Sequence, residues 1–148
     1  MSIESEIDEL YRELILDHYR RPRNTQFIPE AQHNAEGFNP FCGDQVSLQI
    51  MVDPNGVIQG IGQQGNGCSI SQASASMLTE VLKGKSLEQA KSTNNCFRRL
   101  LEGESIGESE LDSLGMLEAL AGVRKFPVRI KCALLAWTTM EDALGNSK

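Results

Sequence analysis

Apolar side chains recur at helical spacing early in the chain, at Ile7, Leu10, Tyr11, Leu14, Ile15 and His18. They predict an amphipathic helix over residues 4–20, stopped by Pro22 and Asn24. Arg20, Arg21 and Arg23 sit at its end, where positive charge suits the helix dipole, and their plainest reading is a solvated terminus. From Val46 to Val52 apolar and polar positions alternate until Met51, Asp53-Pro-Asn-Gly56 is turn chemistry, and Val57–Ile61 follows. That pattern predicts an antiparallel hairpin, beside which a short strand from Gln32 to Phe38 can pair. Gly60, Gly62, Gly65 and Gly67 are expected to loosen the backbone after it.

The clearest helix comes next. Ile70, Ala73, Ser74, Met77, Leu78, Val81 and Leu82 form one stripe and Gly84 supplies the stop. Ser69 and Gln72 have capping-box spacing, which places the start at Ser69. Leu87–Leu101 reads as a second helix. Glu102–Glu118 holds six acidic residues and no basic one, so an exposed segment is expected there, leading into a short helix around Leu114–Leu120. Pro127 opens a last helix whose buried candidates include Ile130, Cys132, Ala133, Leu134, Ala136 and Trp137. With no repeat or low-complexity linker, the pattern predicts one α+β domain over residues 1–148, a small antiparallel sheet covered by helices.

Composition narrows the function. A formal charge of −6 disfavours nucleic acid as a partner, since phosphate binding needs a basic face. No run approaches the roughly 20 apolar residues of a membrane span, and the acidic N-terminus does not read as a signal peptide. A cytoplasmic protein is therefore expected, with no membrane partner. In a reducing compartment a disulfide framework is disfavoured for the four cysteines, leaving metal binding, redox or nucleophilic chemistry, or plain burial.

Cys42 lies in Asn39-Pro-Phe-Cys-Gly-Asp44, where Gly43 permits a tight turn that lets the sulfur and the Asp44 carboxylate face one point. Cys68 follows Gly65-Asn-Gly67 and immediately precedes a helix, whose free amides favour a thiolate. Cys132 lies in the last helix near Arg124, Lys125, Arg129 and Lys131, a setting in which burial as a small hydrophobe is the commoner outcome. Cys96, polar-flanked within a helix, reads as structural. Thiolates with one carboxylate suit Zn²⁺, and thiolates also suit iron–sulfur clusters. Spacings of 24 residues from Asp44 to Cys68 and 64 from there to Cys132 are not those of a zinc finger, so such a site would be assembled by the fold. Three thiolates and a carboxylate leave excess negative charge on Zn²⁺. Arg129, three residues before Cys132 on the same helix face, is placed to offset it or to stabilise a persulfide anion.

Asn39-Pro-Phe-Cys-Gly-Asp44, Gly67-Cys-Ser-Ile-Ser71 leading to Ala73-Ser-Ala-Ser-Met77, and Ile130-Lys-Cys-Ala133 resemble the U-type iron–sulfur cluster assembly scaffold family, NifU N-terminal or IscU-like. Leu16-Asp-His-Tyr19 with Pro22-Arg-Asn24 resembles its N-terminal helix, and the likeness runs from about residue 8 to 144. Lys131 stands where the IscU type has a histidine, and Lys125-Phe-Pro-Val-Arg129 stands where that type has the chaperone motif Leu-Pro-Pro-Val-Lys. With the acidic segment, these departures are similar to the SufU type. The resemblance implies zinc held by Cys42, Asp44, Cys68 and Cys132, with Asp44 as the non-sulfur ligand. It implies persulfide transfer from a SufS-type cysteine desulfurase to Cys42, a desulfurase histidine taking the place of Cys42 on the zinc, and Arg129 as a basic residue near the site. Downstream iron–sulfur assembly proteins would be further partners. The same ligands would also serve a scaffold holding a transient iron–sulfur cluster, or a structural-zinc adaptor that activates the desulfurase.

Overall fold

The structure, a computed structural model, describes residues 3–40 and 43–145, with side chains from Tyr11 onward. Helix α1 (Ile3–Arg20) precedes strands β1 (His33–Asn39), β2 (Asp44–Val52) and β3 (Ile58–Asn66). Helices α2 (Ser69–Leu82), α3 (Leu87–Leu101) and α4 (Glu108–Leu114), a run of 3₁₀ turns over Gly115–Lys125, and α5 (Pro127–Gly145) follow. The strands form an antiparallel meander in the order β1-β2-β3, and the helices cover it, as the hydrophobic pattern predicts. Among the described residues no helix is long and apolar enough to cross a membrane.

The sheet buries one face, by alternation along β2 and, across a register shift opposite Met51 and Val52, along β3. Val46, Leu48 and Ile50 of β2 turn inward with Ile58 and Ile61 of β3, and α2 and α5 supply Ala73, Met77, Leu78, Ala133, Ala136 and Trp137 against them. Asp53 ties the turn between β2 and β3, its Oδ1 accepting from the amides of Asn55 at 2.8 Å and Val57 at 2.9 Å.

β3 runs five residues beyond its expected end at Ile61, through Gly62 and Gly65 to Asn66. The glycines there do not loosen the strand; they admit close neighbours. A Cβ at Gly62 would overlap the Gln26 carbonyl and come within 2.6 Å of Gln49 Oε1, because the segment after α1 is laid across this part of the sheet. The Gln63 amide donates to Asn24 O at 2.9 Å along the same seam.

The acidic stretch is mostly exposed up to Ser113, as expected, with Leu111 packed against the core, and burial begins at Leu114 and Leu117. What differs is the helix that follows. Leu114, Leu117, Leu120 and Val123 recur every third residue and are all buried, which is the period of a 3₁₀ helix rather than an α-helix. The expected short helix at Leu114–Leu120 is therefore α4 followed by 3₁₀ turns reaching Lys125.

Buried polar groups lock α1 and α5 onto α2. Arg21 fits the solvated helix end that the arginine cluster suggests, but Arg23 does not: its guanidinium pairs with Asp17 of α1 at 2.7 Å and Glu80 of α2 at 3.8 Å. Ser76 Oγ accepts from the Arg23 amide at 2.9 Å and lies 2.8 Å from Nδ1 of the buried His18. The other ring nitrogen of His18, Nε2, faces Glu80 Oε1 at 3.6 Å. On α5, Trp137 Nε1 donates to Ser74 Oγ at 3.1 Å, and Ser74 Oγ donates to the Ala133 carbonyl at 2.6 Å.

Burial pushes the His18 imidazole below its ordinary pKa and the Arg23 charge adds to this, against opposition from Glu80 and Asp17. The unfolded chain thus binds the extra proton first as pH falls. The stability held by neutral His18 is complete above the ordinary histidine pKa of about 6.5 and is lost progressively below it. Urea denaturation at pH 7.5 and 5.5 is expected to show a larger acid loss for wild type than for His18→Gln. Ser74→Ala leaves the Trp137 indole N–H unpaired and is expected to cost about 1–3 kcal/mol in the same assay.

Candidate metal centre

Three elements that are remote in sequence converge at one end of the sheet. Asp44 begins β2 two residues before Val46, so the alternation that buries Val46, Leu48 and Ile50 also turns its carboxylate inward. Cys68 precedes α2 and Cys132 lies within α5. One ligand atom from each of Asp44, Cys68 and Cys132 lies within 4.8 Å of the other two.

The local chemistry at Cys68 differs from the expected capping box. Cys68, not Ser69, is the N-cap of α2: its Sγ accepts from the Ser71 amide at 3.5 Å and its carbonyl accepts from Gln72 N at 3.2 Å. Gln72 donates instead to the Gly67 carbonyl at 3.2 Å. A sulfur in this position meets free amides and the positive end of the helix dipole.

Asp44 has no exposed surface, so its charge must be satisfied internally. Oδ1 accepts from the Cys68 amide at 2.8 Å, and Oδ2 lies 3.8 Å from Cys68 Sγ. Gly67 makes this fit possible. A Cβ there would overlap Oδ1 and stand 2.8 Å from the carboxylate carbon. Cys132 is fully buried, and its Sγ lies 3.7 Å from the Asn39 side-chain nitrogen and 3.7 Å from the Val128 carbonyl.

This donor set fits a tetrahedral thiophilic ion. Zinc–sulfur bonds of about 2.3 Å and zinc–oxygen bonds of about 2.0 Å put ligand atoms roughly 3.5–3.8 Å apart, so closure onto an ion needs shifts of no more than about 1 Å. Two soft sulfurs and one carboxylate oxygen are ligands that Zn²⁺ accepts and Mg²⁺ or Ca²⁺ does not favour.

Of the other residues singled out by sequence, Cys42 lies outside the described residues. Its neighbour Gly43 donates to the Asn39 carbonyl at 2.8 Å and closes the β1–β2 connection beside Asp44. Arg129 is exposed on the first turn of α5. It lines a groove of about 640 Å³ with Tyr11, Ile15, Ile70 and Phe126, and the groove reaches Ser69, next to Cys68. Cys96 stays structural: it is buried in α3 with Sγ 3.2 Å from Glu110 Oε2, and burial and that carboxylate push its thiol pKa up. Asn39 and Gly67 escaped the sequence reading as parts of the site. Inward alternation along β1 was the available signal for Asn39, while Gly67 is explained only by the carboxylate seated against it.

Fold and site together define a small α+β protein built around a cluster of metal-ligating side chains. The chain belongs to the family of the NifU-like N-terminal domain, whose model matches residues 10–145. It is 40% identical over 148 residues to the zinc-dependent sulfurtransferase SufU of Bacillus subtilis, covering 100% of this chain and 98% of that protein. It is also 40% identical to the iron–sulfur cluster assembly scaffold protein IscU of Streptococcus pyogenes, covering 97% of this chain and 87% of the relative. A crystal structure from Fervidobacterium islandicum, provisionally described as an iron–sulfur cluster assembly scaffold for the SUF system, superposes with a TM-score of 0.83 at 32% identity. It covers 89% of this chain and 94% of its own.

Gly67→Ala is expected to displace the Asp44 carboxylate and lower Zn²⁺ affinity about tenfold or more, as judged by chelator competition, while the cooperative urea transition survives.

Proposed function

We propose that this protein is a zinc-dependent sulfur acceptor that takes persulfide sulfur from a SufS-type cysteine desulfurase for iron–sulfur cluster assembly. The observation that carries this reading is the convergence of Asp44, Cys68 and Cys132. The full-length likeness to a relative named as a zinc-dependent sulfurtransferase supports it.

In this proposal Cys42, Asp44, Cys68 and Cys132 hold one Zn²⁺. The bound ion keeps a ligating thiol deprotonated at neutral pH. Cys68 and Cys132 sit on helices packed into the core, and Asp44 is tied to the Cys68 amide, so these three form the fixed part of the set. Cys42 falls between β1 and β2 in the sequence. Its thiolate attacks the outer sulfur of the desulfurase persulfide, the partner's sulfur–sulfur bond breaks, the partner leaves as a thiolate, and Cys42 carries the new persulfide. Charge and electrons balance without an external oxidant. Arg129, exposed on the groove that reaches Ser69, offers positive charge to the incoming anion. Downstream iron–sulfur assembly proteins would then receive the sulfur.

A second reading is a scaffold on which a cluster is assembled and passed on, and the relative named IscU favours it. A cluster would be cargo, and Asp44 its exchangeable ligand.

Mass-spectrometric mapping after incubation with desulfurase and cysteine is expected to find persulfide on Cys42 of the zinc-loaded protein, with Asp44→Ala losing zinc at least tenfold more readily. Absence of sulfur on Cys42 would sink the acceptor role, and unchanged zinc affinity in Asp44→Ala would remove Asp44 from the site. Anaerobic purification of a brown protein that passes its cluster to an apo-acceptor would favour the scaffold instead.

A further inference from the structure

We propose that Asn39 is a positioning residue for the metal-binding cluster, donating its side-chain N–H to the Cys132 thiolate and so setting how strongly that sulfur holds the ion. The inference rests on the zinc-binding reading above and deepens it.

Asn39 ends β1 on the face that His33, Ala35 and Gly37 share, the face against α5. At Gly37 that packing is so close that a Cβ would overlap Thr139 Oγ1 and stand 3.3 Å from Leu135 Cδ1. Asn39 pairs directly with Asp44 across the β1–β2 ladder, so its side chain and the carboxylate leave the sheet side by side. Its side chain is 5% exposed, and Nδ2 lies 3.7 Å from Cys132 Sγ, an ordinary length for a hydrogen bond to sulfur.

Cys132 has no exposed surface, so water does not solvate it. The Val128 carbonyl, 3.7 Å away, is a fitting acceptor for a thiol, but it turns its negative end toward a thiolate. An amide N–H is neutral and turns a positive edge toward the sulfur without adding to the negative charge of the cluster; a carboxylate at the same position would add to it. Cys68 has a matching arrangement, with the Ser71 amide on its sulfur at 3.5 Å. Among the described residues, both sulfurs thus meet an N–H donor. Such a bond draws electron density from sulfur and orients the lone pair left for the ion.

Cobalt substitution reads sulfur donation directly, through the energy of the sulfur-to-cobalt charge-transfer band. Asn39→Leu removes the donor at similar volume. It is expected to shift the band to longer wavelength and to raise the dissociation constant for Zn²⁺ about 10–100-fold, while Asn39→Gln restores most of both. Asn39→Asp keeps the shape and removes the donor, so the band must move there too if Asn39→Leu fails to fold. An unchanged band and an affinity within twofold of wild type in either folded variant would overturn the proposal. Wild-type protein that takes up no cobalt would overturn the zinc reading and this inference together. A normal wild-type band that is insensitive to Asn39 would overturn only the latter.

Discussion

A carboxylate with no access to water has to be neutralised by what the fold brings to it, and Asp44 sets that requirement at the end of β2. The Cys68 amide meets one of its oxygens, and Gly67 makes room for that approach by having no side chain. The other oxygen faces the Cys68 sulfur, and Cys132 is within the same 4.8 Å envelope. Without a cation these groups would gather negative charge at low dielectric. A thiophilic ion turns the same arrangement into a source of stability.

The scaffold holds Asp44, Cys68 and Cys132 in place through packed elements. Cys68 caps α2 and Cys132 is embedded in α5, and the two helices are pinned together by the Trp137–Ser74–Ala133 hydrogen bonds, which reach the residue after Cys132. β2 presses Asp44 against both. The groove that Arg129 shares with α1 and α2 reaches Ser69, next to Cys68, and carries positive charge there.

Most of the fold was legible because hydrophobic periodicity follows directly from burial. α1, α3 and α5 fall where the stripes predict, and β2 is visible from Val46, Leu48 and Ile50. The departures have identifiable causes. β3 continues through glycines because the segment after α1 lies across it, a close approach that β-propensity does not register. The three-residue spacing of Leu114, Leu117, Leu120 and Val123 is in the sequence, but over so few turns it passes for a short α-helix. Ser69 and Gln72 have the spacing of a cap, yet the neighbouring sulfur takes that place.

The sequence by itself determined the α+β class, the order of the elements, and the set of soft ligands with one carboxylate, since composition and period are local properties. Alternation along β2, carried back two residues, even determined that Asp44 faces inward. Only the tertiary structure decided that residues 24 and 64 positions apart meet, that Asn39 reaches the Cys132 sulfur, and that Gly67 is a seat for a carboxylate. Those are contacts between elements, and their distances depend on how β1, β2, α2 and α5 pack, which no local pattern encodes.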